Sequence, residues 1–295
     1  MKIAAGIIVF NSDFVLRQVL ESIYPHVSQI LISEGCVGYW VAKGYTTSTD
    51  RTNDIIHSFP DPEKKITIVH GTYPEKTEQA NAYMQHLHPD TDFLWNVDAD
   101  EVFKQHDIIT IKDLLRTGRY NTVGFQSLSF YGGFGHHLTG FEENVSFIRI
   151  RKAYPGCTWD NHRPPTIKNP SGVAEPERLL SHTTLAEMGI RMYHYSYVYP
   201  RQVYEKINYY ENAVINKGDC IPNYFQNVYM AWVRGNTEQK QAIEAQYKGV
   251  HEFAPHYRGD CFTAPFTGQH PDIIQRDLPQ LIAQYKRQLE EYKDK

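Results

Sequence analysis

Four short runs rich in β-branched and aromatic residues, 2–10, 29–33, 66–69 and 93–97, alternate with segments of helical period. Leu16, Val19, Leu20 and Ile23 recur at helical spacing after Asn11 and Ser12, and Tyr24-Pro25 ends that segment. Ser48-Thr49-Asp50 caps a second helix carrying Ile55, Ile56 and Phe59, stopped by Pro60; residues 77–87 form a third with Ala80, Tyr83, Met84 and Leu87 on one side. Strands and helices in strict alternation fold as a parallel sheet covered by helices, because parallel neighbours need a crossover. The chain therefore belongs to the α/β class, with a mostly parallel, Rossmann-like central sheet.

The fourth run ends abruptly. Phe93-Leu94-Trp95-Asn96-Val97 reads as a buried strand, and Asp98-Ala99-Asp100-Glu101 follows at once. In open α/β sheets ligands bind outside the carboxyl ends of the strands. On an extended chain residues i and i+2 face the same way, so Asp98 and Asp100 aim two carboxylates at one point. Two hard oxygen ligands suit Mg²⁺ or Mn²⁺, with the remaining positions left to phosphate and water. Asp90-Thr91-Asp92 has the same spacing but precedes the run, beside Pro89, and reads as a turn at the opposite end of the strand.

Beyond Glu101 the alternation lapses. Residues 122–130, 144–151 and 191–198 read as strands, 201–216 as a helix using Val203, Ile207, Tyr210 and Val214, and the C-terminal segment as a polar helix with Leu281, Tyr285 and Leu289. The three glycines of 131–137 permit a lid. His136 and His137 within it are adjacent and point opposite ways on an extended chain. Tyr193, Tyr195, Tyr197 and Tyr199 share one strand face, which serves either as core or as a sugar-stacking surface. Segment 156–165 presents Asp160, Asn161, His162 and Arg163 between a Trp and two prolines that fix the backbone.

The 295 residues suffice for one large domain with an extension or two small ones, and at 41% hydrophobic they can form a core. A net charge of −4 without a basic stripe speaks against nucleic acid. Cys36, Cys157, Cys220 and Cys261 form no Cys-x-x-Cys pair, which points to reduced thiols and a cytoplasmic setting. No apolar run is long enough to span a bilayer, while peripheral contact with a membrane stays open.

The order strand, Asn11, helix with Leu20-x-Ser22-Ile23, strand ending in Glu34-Gly35, Ser48-Thr49-Asp50-Arg51-Thr52 and Asn96-Val97-Asp98-Ala99-Asp100-Glu101 resembles the GT-A fold nucleotide-sugar glycosyltransferases of the large inverting family two. The likeness covers roughly the first hundred residues well and the next hundred loosely. It implies a GT-A domain over 1–200, with nucleotide-sugar binding in 1–101 and the acceptor side in 102–200, then a mainly helical extension over 201–295. It implies a hexosyltransferase-like enzyme using a nucleoside-diphosphate sugar and Mn²⁺ or Mg²⁺, with a carbohydrate, lipid-linked or protein acceptor. Val9, Phe10 and Asn11 would line the base and ribose pocket, with Glu34, where the family usually has Asp, contacting the nucleoside. Asp50, Gln79 and Asn81 would lie along the donor. Asp98 would approach ribose and metal, Asp100 would hold the metal firmly, and His194 would close its shell.

Two departures stand out. Residues 36–47 separate the normally adjacent Gly and Ser-Thr-Asp, and Arg163 replaces the Glu of a His-Glu pair near the acceptor in related transferases. The catalytic base therefore falls to a shortlist of Asp160, His162 and Glu143, with Glu142 beside it. The competing readings are a non-catalytic nucleotide- or carbohydrate-binding module, and a nucleotidyltransferase, which Asn11-Ser12-Asp13 in place of a Gly-rich basic loop disfavours. No Gly-x-Gly-x-x-Gly follows the first strand, which disfavours a dinucleotide enzyme.

Overall fold

The computed structural model describes residues 1–173, 175–212, 221–252 and 259–295. They divide into two compact units, each discontinuous in sequence: Met1–Gln126 with Ser146–Met192, and Ser127–Val145 with Tyr193–Lys295.

The first unit is an α/β layer. Its strands β1 (Ile3–Val9), β2 (Gln29–Val37), β3 (Ile66–Tyr73) and β4 (Phe93–Asn96) are parallel, with β1 between β4 and β2, and β3 outermost. Phe147–Lys152 runs antiparallel beside β4, and Thr122–Phe125 and Leu179–Leu180 complete a seven-stranded sheet. The mostly parallel α/β architecture expected from the alternation is present. β1 and β4 are nearly continuous apolar runs because a parallel strand is covered on both faces. Helix Leu16–Ile23 buries Leu16, Val19, Leu20 and Ile23, the four residues at helical spacing. Helix Lys76–Met84 packs on β1, β2 and β3 through Gln79, Ala80 and Tyr83. Gly6 is required under Tyr83, since a Cβ there would lie 2.4 Å from the ring.

Three local expectations need correction. β2 runs on through Glu34 and Gly35 to Val37, and a short helix Gly38–Val41 occupies part of the segment expected as loop. Gly35 permits this, because its φ is +140° and a Cβ would collide with the Gly71 carbonyl at 1.8 Å. Helix Gln105–Arg116, which buries Ile108, Ile111 and Leu115, was not anticipated. Residues 122–130 divide into two strands, Thr122–Phe125 and Ser127–Tyr131.

In the second unit, Ser127–Tyr131, His136–Leu138, Thr263–Pro265 and the strand Met192–Tyr197, which enters the unit at Tyr193, belong to one sheet. The helices Pro200–Asn212, Thr237–Tyr247 and Asp272–Glu291 follow in the chain. Tyr131, Tyr197, Tyr224, Tyr229 and Trp232 form its aromatic core. The tyrosines at 193, 195, 197 and 199 are all buried, so they are core. In the glycine loop Tyr285 Oη donates to the Gly132 carbonyl at 2.8 Å, and buried Phe134 packs on Tyr195 and Tyr199. Val214 and Cys220 lie outside the described residues. Among the described residues, no helix is long and apolar enough to cross a membrane.

Candidate functional site

The sheet order itself locates a crevice. From β1 the chain proceeds to β2 and β3 on one side, then crosses to β4 on the other. Strand order reverses between β1 and β4, and their carboxyl ends open the gap where ligands of such sheets bind.

Asn11 marks the end of β1 with φ +48°. Its N–H donates to Ser48 Oγ at 2.9 Å, and its Oδ1 accepts from Thr49 N at 2.8 Å. Ser48 N donates in turn to Glu34 Oε1 at 2.7 Å, and His70 Nδ1 lies 3.0 Å from Glu34 Oε2. The hydrogen-bonded chain Asn11–Ser48–Glu34–His70 thus ties the end of β1 to paired positions of β2 and β3. Burial opposes the Glu34 charge, but bonds from the Ser48 N–H, His70 and the Ser48 and Thr47 side chains outweigh it and hold the carboxyl below its ordinary value. Glu34 is 1% exposed, with both oxygens engaged, so it braces the segment 47–49. Beside this chain, Phe10, Trp40 and Tyr45 form a half-buried aromatic trio with centroids 5.5–5.7 Å apart.

The acidic motif is a turn, which corrects the i, i+2 argument. β4 stops at Asn96, and the Glu101 N–H donates to the Asp98 carbonyl at 3.1 Å. Glu101 Oε2 reaches back to Asp98 N at 3.2 Å. The turn leaves Asp98 buried and Asp100 half-buried. Glu101, fully buried, grips Arg149 on the antiparallel strand, with Nε at 2.9 and 3.0 Å from its two oxygens. Burial penalises the Arg149 charge, yet Glu101 and Asp98 overcome this and raise its affinity for the proton. Asp98 Oδ2 accepts from Arg149 Nη2 at 3.0 Å and from Arg163 Nη2 at 2.6 Å.

Among the described residues, no cluster of three or more His, Cys, Asp or Glu is arranged to hold a cation by itself. The acidic turn suits a cation that takes one or two carboxylates and completes its shell with phosphate and water, the habit of Mg²⁺.

The other expected residues sit as follows. Val9 is buried and its carbonyl, with those of Ser33 and Gly35, faces the Gln79 amide at 3.5, 3.2 and 2.9 Å. Asp50 accepts from Thr52 N at 2.9 Å and from Asp13 N at 3.2 Å, joining the start of helix Thr52–Ser58 to the β1 tip. Asn81 exchanges two bonds with the Trp159 peptide, at 2.8 and 2.9 Å, pinning the hairpin Thr158–His162/Pro165–Lys168 to its helix. Trp159 Nε1 also donates to Tyr83 Oη at 2.8 Å. A bulge between Trp159 and Asn161 leaves Asp160 exposed while His162 turns inward. Burial pushes the His162 imidazole down to about 3, against the opposing pull of the Asp98 charge, so it is neutral at physiological pH.

Glu143 and His194 belong to the second unit. There His194 Nδ1 lies 3.2 Å from Ser129 Oγ, which donates to Glu142 Oε1 at 3.1 Å. Tyr197 Oη donates to buried Glu252 at 2.6 Å, with His251 beside both. The sequence reading passed over Glu101, Arg149 and His70. Glu101 lay in the motif itself; Arg149 and His70 carried no local signal, since only strand pairing brings them to the acids and to Glu34.

No protein-family model matches the chain, and no curated protein matches it. Among solved structures, S. aureus TarS 1–349 in complex with UDP aligns over 99% of this chain and 89% of its own, at 11% identity and TM-score 0.39. A further S. aureus TarS structure aligns over 85% of this chain at 12% identity and TM-score 0.38. Glucosyl-3-phosphoglycerate synthase from Mycobacterium tuberculosis, in complex with Mn²⁺ and UDP-glucose, aligns over 44% at 16% identity and TM-score 0.29. The chain spans 48% and 43% of the last two, less than half of either. These likenesses are loose, and the functional reading rests on the site.

Proposed function

We propose that the chain is a metal-dependent glycosyltransferase that moves a sugar from a nucleoside diphosphate to an acceptor hydroxyl, with inversion. The observation that carries this reading is the acidic turn Asp98–Glu101 at the carboxyl end of β4, beside the β1 tip where strand order reverses. Asp98 and Asp100 would hold Mg²⁺ or Mn²⁺, which when bound neutralises the leaving diphosphate. Asn11 and the aromatic trio around Phe10 would bound the nucleoside, and Glu34 would support that pocket by fixing the segment 47–49.

Inverting transfer needs a base for the acceptor proton. Neutral His162 is too weakly basic to remove it unaided and serves better as a hydrogen-bonding group beside Asp98. Exposed Asp160 in the hairpin bulge is the carboxylate we propose for this step.

The test is thermal shift with UDP, GDP, ADP and CDP, each with and without Mn²⁺, followed by assay of nucleoside diphosphate release from the corresponding sugars. A metal-dependent shift with at least one diphosphate is expected, and Asp100→Ala should abolish it while the ligand-free melting temperature stays within a few degrees. A shift retained in that variant overturns the metal assignment. Metal-dependent binding without turnover would favour the binding-module reading.

A further inference from the structure

We propose that Arg163 is a movable anion-binding residue, covering Asp98 in the ligand-free protein and transferring to the diphosphate of an incoming ligand as a divalent cation takes its place. Only the nature of the ligand rests on the transferase reading. Glu101 and Arg149 are 0% and 3% exposed and satisfy one another through several contacts, so neither is available for exchange. Asp98 is left to share Oδ2 between Arg149 at 3.0 Å and Arg163 at 2.6 Å. Of the two guanidiniums, only that of Arg163 reaches water, with its side chain 52% exposed.

Its backbone is fixed while its side chain is not enclosed. Asn161 Nδ2 donates to the Arg163 carbonyl at 2.8 Å, and Arg163 N donates to Asn161 Oδ1 at 3.2 Å. The Asp98–Arg163 pair has one half-exposed partner, so water offsets part of the cost of releasing the Arg163 guanidinium while Arg149 continues to compensate buried Asp98. A guanidinium matches phosphate oxygens with two parallel N–H bonds, a stronger arrangement than the one-nitrogen bond that Nη2 donates to Asp98 Oδ2. A divalent cation placed on Asp98 would repel both guanidiniums held at that carboxylate, and of the two Arg163, 52% exposed, is the one with solvent to withdraw into. Metal entry, departure of Arg163 from Asp98 and capture of the diphosphate are thereby one exchange.

The test compares wild type, Arg163→Gln and Arg163→Lys, with near-ultraviolet circular dichroism to verify folding. Mn²⁺ alone is titrated by loss of its free-ion paramagnetic resonance signal, and inorganic pyrophosphate with Mn²⁺ by calorimetry. Arg163→Gln should bind Mn²⁺ alone several-fold more tightly and pyrophosphate about tenfold or more weakly, the loss expected for a charge-assisted contact. Arg163→Lys should fall between. Affinities that move together, or that do not move, overturn the proposal, as does a wild type that ignores pyrophosphate. A wild type that binds pyrophosphate but no nucleoside diphosphate would instead sink the transferase reading and leave Arg163 assigned.

Discussion

At the scale of single residues, the site is governed by which charges are buried and by what compensates them. Glu101 and Asp98 keep Arg149 charged inside the protein, whereas His162 has no compensation equal to its burial and stays neutral. This has a consequence for stability. The imidazole is pushed down to about 3 from an ordinary value of 6.5, so between those values the unfolded chain binds the proton and the folded one does not. The stabilisation is present above pH 6.5 and is lost as pH falls toward 3. Between pH 7 and pH 5 the His162 contribution should fall by about 2 kcal/mol. Urea denaturation of wild type and His162→Gln at both pH values measures it: wild type should lose more stability than the variant by about that amount. Equal losses would mean the imidazole titrates normally.

Among the elements, the hairpin that carries His162 and Arg163 owes its position to one helix. Asn81 treats the Trp159 peptide much as a neighbouring strand would, donating to its carbonyl and accepting from its N–H. Asn81→Ala should therefore free both groups and cost about 1–3 kcal/mol. Hydrogen exchange at the Trp159 amide is expected to accelerate, while the β1 and β2 amides keep their protection. Unchanged exchange at Trp159 would show that strand pairing alone holds the hairpin. Four parallel strands and the helix Leu16–Ile23 were legible in sequence because their burial pattern is local. Helix Gln105–Arg116 keeps Ile108, Ile111 and Leu115 at helical spacing, but it opens after Lys104 without a side-chain cap to mark its start in the sequence. The turn at Asp98 was misjudged as extended chain: the last residues of a strand look alike in sequence whether the ladder continues or stops.

Across the whole molecule, the two units interleave in sequence: Ser127–Val145 belongs with Tyr193–Lys295, and Ser146–Met192 with the N-terminal part. Tyr131 and Tyr197 pack with Tyr229 and Trp232, so strands from the middle of the chain depend on helices near its end. A fragment of residues 1–200 should expose that aromatic surface and be recovered as aggregate, as large apolar patches lead one to expect. A soluble fragment with native-like near-ultraviolet circular dichroism would show that 201–295 is a separable extension. The sequence by itself determined the α/β alternation, the apolar faces of the early helices and the presence of an acidic motif after the fourth strand, because each depends on periodicity and neighbours within a few residues. Only the tertiary structure decided that Glu34 is a buried brace, that Arg149 and Arg163 share Asp98 and that His162 is neutral. Those properties arise from groups 13 to 65 positions apart, or from burial itself, and no local pattern encodes either.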